Sequence, residues 1–107
     1  SPENIMDKKW QNINQLIEYS QNSILSKELT KTEKNNITLF CMAKGAEISE
    51  HTSTKEGFIY AIEGKGIFNL EGKDIALSPG VFIFMPKNVV HSLKAEENMS
   101  FILSLCE

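Results

Sequence analysis

The chain has 107 residues, a hydrophobic fraction of 41%, a charged fraction of 23% and a formal net charge of −3. That length suits one domain with one core, and the mixture excludes a disordered chain. It has no arginine, its lysines are scattered, and Lys8-Lys9 is the only adjacent basic pair, so neither nucleic acid nor an anionic membrane is an expected partner. No apolar run approaches a membrane span, the first fifteen residues hold no signal-peptide core, and the expected location is cytoplasmic.

Ser1–Asn12 is polar and expected to be loosely held, with Met6 as a candidate natural start. Trp10 within it either docks this arm or stays exposed. Ile13, Leu16 and Ile17 are spaced three and four apart, which predicts a short helix over about Ile13–Tyr19 with Asn12 as its cap. The expected organisation is therefore an N-terminal arm with a short helix over 1–22 and a barrel domain over 23–107.

Strands are predicted at Ser23–Thr30, Ile37–Met42 and Glu47–Thr52, separated by polar or glycine-bearing turns. The strongest signal follows. Phe58–Ile62, Ile67–Leu70 and Asp74–Leu77 are β-prone runs broken at Gly64-Lys65-Gly66 and Gly72, the pattern of a meander. Ser78-Pro79-Gly80 and Pro86-Lys87-Asn88 turn the chain again, between strands at Val81–Met85 and Val89–Leu93. Met99–Cys106 closes the series. No central helix is long enough for a βαβ crossover, so the fold class is all-β, a sandwich or barrel.

Few residues offer chemistry. Cys41 and Cys106 lie in apolar stretches without CxxC spacing and are expected as buried free thiols. Ser53 has no companions for a hydrolase triad. Gly64-Lys65-Gly66 leads into a strand and not a helix, so it is no phosphate loop. Met42, Met85 and Met99 are expected in the core or lining a pocket. His51 and His91 are the only histidines in the chain.

From Gly45 to Leu93 the sequence resembles the cupin superfamily, small jelly-roll barrels. Gly45 and His51 match the opening of the first cupin motif, and Tyr60 through Gly66 matches its close. Gly80, Pro86, Asn88 in place of a glycine, and His91 match the second motif. The resemblance implies a double-stranded β-helix, RmlC-like, in which His51 and His91 meet inside the barrel. It places the pocket at His51, Ser53, Gly57, Ile59, Ala61 and His91.

The family's metal site is three histidines and a glutamate. Ser53 stands at the second histidine position and Gly57 at the glutamate position. Only His51 and His91 remain as candidate ligands, with Glu56 next to the expected carboxylate and Cys41 as a further candidate. Glu56 needs a bulge to reach the site, because a one-residue shift reverses a strand's faces. No cofactor is therefore firmly implied, and a weakly held nickel, iron, manganese or zinc ion is the remaining candidate. The leading functional expectation is a small molecule bound near His51 and His91. The alternatives are a metal-dependent dioxygenase, isomerase or decarboxylase, and an accessory or regulatory protein that binds another protein.

Alternation on the meander sends Phe58, Tyr60 and Ile62 one way and Gly57, Ile59 and Ala61 the other. If the small set lines the cavity, the large set forms an outer apolar stripe, and a homodimer that covers it is expected. The N-terminal helix is the alternative cover.

Overall fold

A computed structural model of the chain describes residues 9–107. Met6 lies outside the described residues. Nine strands follow one another: β1 Ile24–Lys31, β2 Asn35–Met42, β3 Glu47–His51, β4 Glu56–Glu63, β5 Gly66–Leu70, β6 Lys73–Leu77, β7 Phe82–Met85, β8 His91–Ala95 and β9 Met99–Cys106. They form two antiparallel sheets, ordered β1-β2-β9-β4-β7 and β3-β8-β5-β6. The chain passes from one sheet to the other at most of its turns, which is the winding of a jelly-roll barrel.

The expected helix is only one 3-10 turn, Ile13–Gln15. Asn12 does cap it, accepting the Asn14 N–H on its side-chain oxygen at 3.0 Å. The apolar stripe is too short to sustain an α-helix, whose nucleus is costly. The residues after the turn instead lie against the five-stranded sheet. Lys27 on β1 donates to the Leu16 carbonyl at 2.7 Å and pairs with Glu18. The Tyr19 hydroxyl donates to Glu63 on β4 at 2.6 Å. Cys41 is fully buried, with its thiol near the Glu18 backbone, and burial pushes its pKa up. Both cysteines are free, but Cys106 is exposed, contrary to expectation, because it ends the last strand. Trp10 is exposed.

The core lies between the sheets. The five-stranded sheet contributes Met42, Ile59, Ala61 and Phe101, and the other contributes Phe68, Leu77, Leu93 and Ala95. Phe68 is fully buried, and hiding a ring of that size stabilises the fold by about 1.5–3 kcal/mol. The β4 alternation runs as its sequence predicts. Gly57, Ile59 and Ala61 are buried, while Tyr60 is exposed. On β7 the alternation repeats, with Phe82 and Phe84 exposed and Ile83 and Met85 buried. Among the described residues no helix is long and apolar enough to cross a membrane.

Candidate functional site

The site is built across β3 and β8, neighbours in the four-stranded sheet. Ile48 pairs with Leu93, but the next recorded pair is His51 with His91, so β3 carries one extra residue between them. This bulge brings the two histidines face to face. Their ring centroids lie 4.1 Å apart with planes tilted by 59°.

Each ring is held through Nδ1. His51 Nδ1 lies 2.8 Å from the Ser49 carbonyl inside the bulge, and His91 Nδ1 lies 3.0 Å from the Val89 carbonyl. A carbonyl oxygen only accepts, so Nδ1 carries the proton in both contacts. In the neutral ring Nε2 is then left as the acceptor. Phe68 stacks parallel to His91, with centroids 5.7 Å apart. His91 is buried and His51 is exposed, which puts His51 at the open end. Burial lowers the His91 pKa, the Val89 carbonyl opposes that shift, and the neighbouring His51 adds to it.

The two rings border a cavity of about 170 Å³ between the sheets. The four-stranded sheet supplies Ile48, His51, Phe68, His91 and Leu93. The other sheet supplies Phe40, Ile59, Met85, Phe101 and Leu103. Phe40 and Phe101 stack at 5.2 Å with an interplanar angle of 9°. Apart from the two imidazoles, the lining side chains are apolar.

Of the residues singled out in the sequence, His51, His91 and Ile59 line this cavity, and so does Met85. Ser53, Gly57 and Ala61 do not. The Ser53 hydroxyl accepts the Lys55 N–H at 3.1 Å, and its carbonyl accepts the Asn88 N–H at 2.7 Å. Ser53 therefore ties the β3–β4 turn to the β7–β8 turn. Asn88 has φ 65°, the left-handed conformation that suits the glycine it replaces, and asparagine tolerates it better than most residues. Gly57 is packed against β9 so closely that a Cβ there would lie 2.0 Å from the Ser104 carbonyl oxygen. Ala61 is buried in the core beside Phe101.

Sequence reasoning missed Phe40, Ile48, Phe68, Leu93, Phe101 and Leu103. Leu93 was within reach, two residues beyond His91 on the same face. The others become wall residues through strand pairs distant in sequence.

The donor set does not fit the family's metal ion. Among the described residues no group of three or more His, Cys, Asp or Glu side chains comes close enough to hold one. Glu56 is exposed and pairs with Cys106 at the end of β4. Cys41 is not among the cavity residues. The glutamate position is occupied by Gly57, where the β9 backbone leaves no room for a side chain. Two imidazoles alone fall short of the three or four protein ligands that such sites use.

Fold and site together define a small jelly-roll barrel with an apolar cavity beside two histidines. The chain belongs to the cupin domain family, whose model matches residues 38–105. It is 28% identical over 107 residues to an uncharacterized protein of Aquifex aeolicus (strain VF5), a match covering 98% of this chain and 84% of that one. It is similar to the crystal structure of a conserved protein of unknown function from Streptococcus pyogenes, with a TM-score of 0.86 and 26% identity over 98% of this chain and 92% of that chain. A cupin superfamily protein from Desulfitobacterium hafniense DCB-2 has a TM-score of 0.86 at 20% identity, covering 97% and 95% of the two chains. At that identity the likeness shows a shared fold.

Proposed function

We propose that this cupin binds a small organic molecule in the cavity beside His51 and His91, and that it does so without a resident metal. The observation that carries this reading is an apolar cavity of about 170 Å³ bordered by two adjacent imidazoles. Pockets of this kind, apolar with a few convergent polar groups, are the usual form of small-molecule sites. The enzyme alternative needs an ion with open positions, and Gly57 packed against the Ser104 carbonyl removes the carboxylate that would hold it.

Thermal unfolding with a one-ring hydrocarbon such as toluene tests the reading. A ligand that binds only the folded state raises the Tm, by about 4–8 °C for each kcal/mol in a domain of this size. The rise is expected for the wild type and should shrink in Leu103→Trp, which narrows the cavity. An unchanged wild-type Tm up to toluene saturation overturns the reading.

We also propose that two copies associate through the outer face of β4 and β7. Tyr60, Phe82 and Phe84 are exposed there, with Phe58 and Phe82 packed at 5.1 Å. The described part of the N-terminal segment is held at Lys27 on β1 and at Glu63 at the end of β4 and leaves Tyr60, Phe82 and Phe84 exposed, so a second copy is the proposed cover.

A further inference from the structure

We infer that the ligand is a single aromatic ring bearing one neutral hydrogen-bond donor, a molecule of the phenol class, whose hydroxyl donates to the imidazole pair. This rests on the small-molecule reading above and narrows it to one chemistry.

Size comes first. An apolar cavity of about 150 Å³ holds one benzene. The cavity here is about 170 Å³, room for one ring and a small substituent. Shape follows. Phe68 lies parallel to His91 on one sheet, and Phe40 is stacked on Phe101 on the other. These flat surfaces favour a planar ligand over a branched aliphatic one.

The polar end sets the chemistry. Both Nδ1 atoms are engaged by backbone carbonyls. Each neutral ring therefore offers the ligand only a lone pair, at Nε2. His91 is 6% exposed. Filling the cavity with a molecule that cannot donate would leave its Nε2 dry and unpaired, which costs binding energy. An ether or a ketone brings a second acceptor and meets the same penalty. A hydroxyl or N–H satisfies it.

Charge excludes the anionic relatives of such ligands. Among the described residues no lysine, aspartate or glutamate borders the cavity. Burial and the neighbouring His51 both favour the uncharged form of His91. A carboxylate would lose its water and gain no counter-charge.

The test is NMR titration of the ¹⁵N-labelled protein at neutral pH with toluene, phenol and benzoate. Phenol is expected to bind about tenfold tighter than toluene, and benzoate weakest. The His91 Nε2 resonance should move with phenol and not with toluene. His91→Leu should lose the preference for phenol over toluene. In case that core change impairs folding, His51→Leu at the exposed end is a second variant and should reduce the preference. Equal affinities for phenol and toluene, tighter benzoate, or a preference unchanged in His51→Leu each overturn this inference and leave the small-molecule reading standing. Binding of none of the three overturns both.

Discussion

Ile48 and His51 stand three residues apart on β3, yet both line the cavity. Strict alternation would send them to opposite faces. The extra residue between Ile48 and His51 in the pairing with β8 corrects the phase. The same bulge supplies the Ser49 carbonyl that fixes the His51 ring. One inserted residue thus sets both the direction and the tautomer of an imidazole at the site.

His91 should titrate below the ordinary histidine value of 6.5, because burial disfavours its charged form. In the unfolded chain the same ring takes up its proton near pH 6.5. Between the two values the unfolded state binds more protons, so stability rises with pH across that window. This contribution is fully present above about pH 6.5 and is lost as the pH falls through the folded-state pKa. NMR titration of the ring resonances, together with urea unfolding at several pH values, checks both statements. A His91 pKa at or above 6.5 contradicts them.

Metal analysis makes a separate prediction. Protein purified without an affinity tag or added metal should carry well under one nickel, iron, manganese or zinc ion per chain after dialysis against a chelator. The reason is the shortage of ligands around His51 and His91. A stoichiometric ion would mean that Glu56 or Cys41 moves to reach it.

Much of the scaffold was legible in the sequence because strand alternation is a local property. The meander could be read from its turn glycines, and the inward Gly57, Ile59 and Ala61 and the Phe82/Phe84 face from period two. The two histidines could be brought together only through the family spacing. The cavity wall was illegible because Phe40, Phe101 and Leu103 face it only after β2 pairs with β9, far along the chain. The N-terminal helix was misread because its stripe is explained by packing on a sheet that local periodicity does not reveal. Gly57 was read as a missing ligand, whereas its absent side chain is what lets β9 approach.

Gly64 and Gly72 provide a matched pair. Both have φ 85°, but a Cβ at Gly64 would lie 1.9 Å from the Asn98 carbonyl oxygen, while Gly72 faces open space. Gly72→Ala should cost about 1–2 kcal/mol, the price of a left-handed alanine. Gly64→Ala adds a backbone clash and should cost at least about 3 kcal/mol. Urea unfolding midpoints decide; equal losses would place the strain elsewhere.

The dimer proposal is tested by sedimentation equilibrium at low micromolar concentration. A mass twice the 12.1 kDa of one chain is expected. Tyr60→Glu should split the dimer or unfold it, because a carboxylate would be buried without a partner. A single 12.1 kDa species for the wild type rejects the assembly. A Tyr60→Glu protein that stays dimeric and equally stable moves the interface off β4.

The most direct test of the central claim is where a small molecule binds. Methyl-resolved NMR of the protein titrated with toluene reads this residue by residue. The account predicts saturable shifts concentrated on the methyls of Ile48, Ile59, Leu93 and Leu103, which line the cavity from both sheets. Shifts confined to residues outside the cavity, or none up to toluene saturation, would contradict it.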